Sequence, residues 1–425
     1  MTATVGLRNE RTFASLRKHR NYRLFFCGQI VSVSGTWMQE TALPWLVLEM
    51  THSPVDVGVL IFCRNAPFTV FGLTAGVLAD RFDNRRFMIA TQTASMLAAA
   101  ALAIVTLSGH VSLWEIYTLA TLGGAATIVD APNRQALTFR LVGRDELPNA
   151  IALNSSLFNA GRVIGPALGG ILIATVGVSA CFAVNAASFL AVLVCLLLMR
   201  PNELFPLDRG EIPLKARGAI RAGLRFVRSS PRIMTILAIT FVITLVGFNF
   251  RVLLPVLASK TFHSGPAIFG VLWACFGLGA LAGALYTATK ASATWKALIV
   301  GVGGFSVGML AIAPLHSIAL VGLLLAMVGF CFTVWTATSQ SILQLSTPDG
   351  LRGRVLSIYI FVFAGFAPIG GVASGWLASV GGTQLAFGVS GVIGLIVTAF
   401  AGFGLRGMRA RVAPSEGPVL VTPVD

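Results

Sequence analysis

Residues 159–170 read NAGRVIGPALGG. They lie inside an apolar run, 147–175, long enough to cross a bilayer. Within twelve residues the stretch carries a cation, a proline and four glycines. A helix that only filled a membrane would gain nothing from any of them. Gly161, Gly165 and Gly169 recur every four residues, so they share one helix face, and a face without side chains lets a second backbone come close. Pro166 has no N–H, so the carbonyl of Arg162 loses its helical partner and a bend is expected near mid-membrane. The stretch reads as a close-packed, bending element, suited to a membrane protein whose helices seal one state and rock in another.

The rest of the chain fits that setting. Of 425 residues, 56% are hydrophobic and 11% charged, less than half the roughly 25% of soluble domains. Mean hydropathy is +0.82. Residues 1–23 are polar and basic, and the apolar run from Leu24 is too long for a cleavable signal, so it reads as an uncleaved first span. Cys27, Cys63, Cys181, Cys195, Cys275 and Cys331 all sit in apolar runs without CxxC or Cys/His spacing. They read as small hydrophobes, and no metal or cofactor site is expected.

Twelve spans are expected, near 24–49, 54–78, 87–108, 113–139, 147–175, 179–199, 233–259, 266–288, 296–314, 317–343, 355–379 and 384–405. With the N-terminus inside, the inner segments hold 26 of the 31 Lys and Arg residues, the outer loops only Lys260, and the spans Arg64, Arg134, Arg162 and Arg251. That bias places both termini in the cytoplasm. It also assigns the net charge of +15 to the anionic inner leaflet of the lipid bilayer rather than to nucleic acid. Residues 201–231 form a cytoplasmic linker between bundles at 24–200 and 232–406, flanked by a segment at 1–23 and a tail at 407–425. In the linker, Arg217, Arg221, Arg225 and Arg228 form one stripe and Ile220, Leu224 and Val227 another, as in a helix lying on a membrane surface and tethering the halves.

The two halves repeat. At an offset of 205, Gly124 meets Gly329, Gln135 meets Gln340, Ile164-Gly165 meets Ile369-Gly370, Gly170 meets Gly375, Gly177 meets Gly382 and Phe182 meets Phe387. At 211, Leu43-Pro44 meets Leu254-Pro255, Gly72 meets Gly283 and Glu40 meets Arg251. Both halves start at the same face, so the repeat is parallel. The expected fold is all-α, with twelve transmembrane helices in two six-helix bundles related by a pseudo-two-fold axis, an architecture that suits a transporter with its site between the halves.

Between spans 2 and 3 the chain reads GVLADRFDNRR (76–86). This resembles the loop motif of the major facilitator superfamily, with Gly76, Leu78, Ala79, Asp80, Arg81 and Arg85 matching, Asp83 standing for a glycine and Asn84 for a basic residue. The resemblance implies that Asp80 locks the inner loops, with Arg354 as a candidate partner. The opening stretch is similar to the superfamily's antiporter motif through Gly161, Gly165, Pro166, Gly169 and Gly170, with Ala152 where that motif has an upstream glycine. Residues 130–170 further resemble the branch of the enterobactin exporter and macrolide efflux pumps. A span-4 arginine of some drug pumps is Ala120 here, so charge in span 4 comes from Asp130 and Arg134.

Two acids, Glu40 and Asp130, lie well inside spans beside the four arginines. A charge at mid-membrane costs at least about 2.5–3.5 kcal/mol, so these groups should face one another or water. By helix rise, Glu40, Arg64 and Arg251 all lie roughly 12–15 Å from the outer face. Glu40 is therefore expected to pair with Arg64 or with Arg251, the first pairing permanent within one half and the second a gate. Asp130 and Arg134 are spaced i, i+4 around Pro132. Burial opposes the ionised form of Asp130 and the arginine favours it, and such opposed terms can poise a group to exchange protons. Asp130 is thus the first candidate for proton coupling and Glu40 the second, with static ion pairs as the plain alternative. For Arg162 that alternative is a structural hydrogen-bonding role. Gln39, Asn154, Asn159, Trp335 and Gln340 are candidates to line a substrate cavity, as are Trp37, Trp45, Phe248, Phe250, Trp273 and Tyr359.

The expected function is export of small amphipathic molecules (drug, macrolide or siderophore) by proton antiport with alternating access, carried out by a monomer in the cell membrane. An importer of the same fold and a non-transporting scaffold or sensor are the alternatives. No P-loop, catalytic Ser/His pair or metal-ligand spacing points to an enzyme.

Overall fold

The computed structural model describes residues 13–81, 83–206, 216–290 and 293–411, with the backbone alone for 73–81, 129, 131, 216–220, 222, 349 and 403–411. Among the described residues there are helices and no strand. The N-terminal half contains α1 (Arg20–Thr51), α2 (Pro54–Arg81) and α3 (Asn84–Leu107). Next comes one long helical run, Leu113–Thr175, broken at Gly143 into α4 (113–142) and α5 (144–175), and then α6 (Val178–Leu197). After a linker helix, Ala216–Ser229, the second half contains α7a (Pro231–Val246), α7b (Phe250–Val256, continued by a π-turn to Thr261), α8 (Pro266–Ala288), α9 (Trp295–Ile312) and α10 (Ile318–Leu345). It closes with α11a (Asp349–Gly365) and a run from Ala367 to Arg411 broken at Gly381-Gly382 into α11b and α12.

Nine described segments are long and apolar enough to cross a membrane, two of them containing two passes each. The pass outside that set is α1, whose length suffices but whose sequence carries Gln29, Ser32, Thr36, Gln39 and Glu40. Its polar residues mark the helix that lines the site, as described below. With α1 the passes number twelve among the described residues; their ends agree with the expected spans to within about four residues except in the last two passes, where the eleventh starts at Asp349 rather than 355 and the twelfth runs on to Arg411 rather than 405.

Successive passes reverse direction, so the joints gather at two ends. One end collects Arg85, Arg86, Arg140, Arg144, Arg200, Arg232, Lys290, Lys296, Arg352 and Arg354, and is called here the basic end. At the far end, Lys260 is the lysine or arginine among the described residues.

The repeat seen in the sequence is also a repeat of conformation. Gly177 joins α5 to α6 at φ 107°, ψ 169°, and its mate Gly382 joins α11b to α12 at φ 69°, ψ −177°. Both lie where an L side chain is strained, so the same reversal occurs at the same register in each half. Between halves, α2 packs on α11 and α5 packs on α8. A Cβ on Gly170 would lie 2.7 Å from the carbonyl oxygen of Pro266, at the start of α8. A Cβ on its mate Gly375 would lie 2.4 Å from the carbonyl oxygen of Pro54, at the start of α2. Two equivalent backbone contacts thus close the far end.

Apolar packing follows the same division. One continuous core runs through both halves, with Trp45 of α1 stacked 6.1 Å from Phe269 of α8. A second core, around Tyr22, Phe25, Met88, Leu137 and Leu196, belongs to the N-terminal half at its basic end.

Two helices break where the sequence suggested otherwise or only in part. The seventh pass, expected to be continuous, is interrupted at Gly247-Phe248-Asn249. Phe248 N–H reaches back to Ile243 O at 3.0 Å, and the Asn249 amide donates to Leu245 O at 3.2 Å, satisfying a carbonyl that the break frees. At Pro166 the dihedrals stay helical, and within 113–175 only Gly143 leaves the helical region. The bend expected on the second half's side is a true interruption, at Phe366 just before Ala367-Pro368.

The linker helix packs on the base of α11, where a Cβ on Gly223 would meet Arg354 Cβ and Ile358 Cδ1 at 3.2 Å. Val227 is buried there, while Arg221, Arg225 and Arg228 are exposed. The side chains of Gly76, Asp80, Arg81 and Arg217 and the tail beyond 411 lie outside the described residues, and so does the expected Asp80–Arg354 contact. Arg85 of the loop motif donates to Leu196 O at 2.8 Å and Leu197 O at 3.2 Å, capping the end of α6. Asp83 caps α3 through Arg86 N–H at 3.0 Å and pairs with Arg140 at 3.0 Å.

Candidate functional site

A cavity of about 880 Å³ opens in the N-terminal half, a size in the usual range for small-molecule sites. Its walls come from α1, α3, α4, α5 and α6, with Arg64 from α2. It runs from Trp37, Gln39 and Arg64 at mid-depth to Phe139 and Leu147 near the basic end. The lining is mostly apolar, with a few polar groups set among it.

One charged group of residues lies on the wall. Asp130 of α4 is bound through both carboxylate oxygens: Oδ1 accepts from Gln92 Nε2 at 2.8 Å and Thr91 Oγ1 at 3.1 Å, and Oδ2 pairs with Arg134. Arg134 also donates to Gln29 Oε1, and its guanidinium lies 5.2 Å from the Phe158 ring centroid. The sequence had placed Asp130 beside Arg134, but not Gln29, Thr91 and Gln92, which hold the pair from α1 and α3. Their signal was a polar side chain within an apolar run.

A second charged group sits deeper, where the halves meet. Glu40 of α1 pairs with Arg64 of α2 through Oε1 and with Arg251 of α7b through Oε2, the latter at 3.2 Å. Both pairings expected as alternatives coexist, one within a half and one across halves. The break at 247–249 ends two residues before Arg251, so that side chain sits in the first turn of the short helix α7b, paired with Glu40 of α1. Trp37, one turn before Glu40, has two guanidinium groups against its ring: Arg162 at 5.5 Å and Arg251 at 6.0 Å from the centroid. Arg162 makes no ion pair or hydrogen bond with another described residue. Contact with an indole face returns about 2 kcal/mol when desolvated, less than the minimum of about 2.5–3.5 that a mid-membrane charge costs.

The glycine face beside Arg162 explains how this cluster is assembled. A Cβ on Gly165 would fall 2.3 Å from Trp37 Cβ and 3.1 Å from Ser34 O, so only glycine lets α5 lie against α1 there. Gly161 and Gly169 extend the same contact to Val33 and Met38. Gly170, next in line, turns to α8 instead. The motif therefore packs Trp37 and Arg162 together on one side and seals the far end on the other.

Of the expected cavity residues, Gln39, Asn154 and Asn159 line it. Gln39 accepts from Asn185 at 2.6 Å, and Asn154 donates to Thr138 at 3.3 Å. Trp335 does not line it. It is fully buried in the second half's core, between Phe305 at 6.1 Å and Phe332 at 5.8 Å. Gln340 belongs to α10 and lies outside the cavity as well. The remaining aromatic candidates fall the same way: Phe248 stacks on Phe332 at 4.4 Å, Phe250 packs at a tilt against Phe276 at 4.8 Å, and of that set Trp37 alone is a wall residue. The physical reason is asymmetry: the second half filled with phenylalanine the volume that the first half keeps open.

Residues 10–418 match the family described as transmembrane secretion effector. The staphyloferrin A transporter of Staphylococcus aureus (strain NCTC 8325 / PS 47) is 27% identical over 93% of this chain and 98% of its own length. The enterobactin exporter EntS of Citrobacter koseri is 28% identical over 95% of this chain and 97% of its own. Among solved structures, a bacterial homologue of the human lysosomal transporter Spinster, inward-facing and unoccupied, superposes with a TM-score of 0.69 at 13% identity, covering 93% of this chain and 99% of its own. A POT family transporter in complex with a thioalcohol-conjugated peptide gives 0.71 at 12% identity over 92% and 96%.

Proposed function

The chain belongs to the transmembrane secretion effector family of the major facilitator superfamily, and we propose that it exports small amphipathic molecules by proton antiport with alternating access. It is a multi-pass membrane transporter, and its relatives are named for transport rather than catalysis. The observation that carries the export reading is the position of the cavity. Its lining reaches Phe139 and Leu147 near the basic end, and beyond its deep end the far end is closed by the Gly170 and Gly375 contacts and the Glu40–Arg251 pair.

With the basic end in the cytoplasm, as the Lys and Arg bias supports, this is the arrangement that loads from inside. The site works as a monomer in the cell membrane with both termini inside. Asp130 takes the proton-coupling role, because its carboxylate lines the cavity. Glu40, Arg64 and Arg251 act as the gate. A siderophore is the favoured cargo among drug, macrolide and siderophore, in keeping with the two full-length relatives. Transport into inverted vesicles under an imposed pH gradient, with a panel of siderophores and macrolides, tests the reading. Gradient-dependent accumulation supports it. Movement in the opposite direction makes the protein an importer, and indifference to the gradient removes the proton.

A further inference from the structure

We propose that the transported molecule carries an anionic group, and that Arg162 and Arg251, one from each half, take hold of it beside the Trp37 ring. The proposal rests on the transport reading above and narrows its substrate class.

Arg64 and Arg134 line the cavity, and two more guanidinium groups, Arg162 and Arg251, lie over the ring of its wall residue Trp37; against these four stand two carboxylates, Glu40 and Asp130. Both carboxylates are fully engaged. Asp130 spends its oxygens on Thr91, Gln92 and Arg134, and Glu40 spends its on Arg64 and Arg251. Two positive charges are left over within the membrane-spanning helices, with no further acid paired to them among the described residues.

The excess gathers at one place. Arg162 has no acid and no hydrogen-bond acceptor among the described residues, and Arg251 is close enough to repel it. Both lean on the Trp37 indole, at 5.5 and 6.0 Å. Arg251 keeps a third of its side chain exposed, so it has donors free beyond its single bond to Glu40. Two guanidinium groups on one indole ring suit a carboxylate or similar oxyanion, which can accept a bidentate pair of N–H donors from one and a single N–H from the other. Trp37 is a cavity wall and carries both guanidinium groups on its ring, so a molecule that fills the cavity and displaces the indole reaches them. A cationic head there would meet the full excess of charge.

The same geometry links arrival to the gate. An anion on Arg251 competes with Glu40 for that guanidinium, and Glu40–Arg251 is the ion pair that joins the halves among the described residues. Filling the site therefore weakens the closed far end while Glu40 keeps Arg64.

The test uses the full-length protein in lipid nanodiscs and three fluorescent probes with one aryl body, ending in a carboxylate, a carboxamide or a primary amine. Binding is read by anisotropy. The carboxylate probe is expected to bind at least about tenfold tighter than the carboxamide, and the amine weakest. Arg162→Gln should collapse the carboxylate-to-carboxamide ratio, and Arg162→Lys should keep part of it. If Arg162→Gln does not insert, Arg251→Gln must lower the ratio instead. Equal affinities, no binding of the carboxylate probe, or a ratio that survives both glutamine variants would overturn the proposal. So would loss of the ratio when chloride is added, because a small inorganic anion would then own the site. Proteoliposome flux separates this from the transport reading. Carriage of the carboxamide but not the carboxylate sinks the anion and leaves transport. A carboxylate probe that binds and never moves sinks transport and leaves the anion.

Discussion

Glu40 on α1 and Arg251 on α7b are equivalent positions of the repeat, and they meet across the two halves at 3.2 Å. Glu40 also holds Arg64, so it bridges one contact inside a half and one between halves. That double engagement decides which experiment is informative. Exchanging Glu40 and Arg251 would set a new arginine against Arg64, so the swap should rescue only in part. The double-mutant cycle of Glu40→Gln and Arg251→Gln avoids that clash. A coupling of about 1–2 kcal/mol in thermal or denaturant stability is expected, within the range for contacting charged residues. Glu40→Gln alone should cost more, toward about 3 kcal/mol, because Arg64, with 10% of its side chain exposed, and the partly exposed Arg251 both lose their partner. Coupling near zero would mean the Arg251 contact contributes nothing to closure.

Asp130→Asn keeps the shape of its site and removes the charge. Gln92 and Thr91 can still donate to the amide oxygen, while Arg134 loses its acid and keeps Gln29. Accumulation driven by a pH gradient should fall at least about tenfold, whereas exchange of substrate for substrate, which needs no net proton movement, should persist. Equal loss of both would make the Asp130–Arg134 pair structural. Full retention of driven transport would move the proton to Glu40.

How much of this could be read from the chain depends on the distance over which the cause acts. Gly177 and Gly382 were visible as repeat mates because a reversal needs positive φ at one residue, a local demand. The Asp130–Arg134 pair was visible because i, i+4 spacing on one helix is local too. Gln29, Thr91 and Gln92 were not tied to it, since they arrive from other helices. Trp335 was misplaced for a related reason: an aromatic in a span looks alike whether it faces a cavity or Phe305 and Phe332. The repeat also implies two equal halves, and nothing in its spacing tells which keeps its interior open. The break before Arg251 did carry a signal, Gly247 and Asn249 within three residues, but each alone is tolerated in a helix.

Gly170→Val and Gly375→Val should act alike, because the two glycines make equivalent contacts with Pro266 and Pro54. A side chain at either place cannot fit 2.4–2.7 Å from a carbonyl oxygen, so the far end must part. Overpacking of this kind costs typically about 1–3 kcal/mol. The expected result is a transporter that inserts, binds at the far end and fails to cycle. Spin labels placed at the far end should show longer distances between halves than in the wild type. An unchanged distance distribution with normal transport would show that the glycines only ease packing.

Asp83 should contribute to the pH dependence of the basic end below neutral pH. Burial works against its ionised form, but the Arg86 and Arg85 N–H groups and the Arg140 guanidinium outweigh it and hold the carboxyl below the usual carboxylate range. A carboxyl lowered in the folded protein binds its proton more readily when unfolded. Its contribution is therefore complete above its unfolded pKa and is lost as pH falls through the lower folded value. With 43% of the side chain exposed, the Arg140 pair contributes only about 0.2–1 kcal/mol. Asp83→Asn keeps an N-cap and removes the ion pair. Melting curves should thus show the variant slightly less stable at neutral pH, with the gap closing as the medium becomes acidic. A gap that stays constant down to pH about 3 would assign the loss to packing rather than to charge.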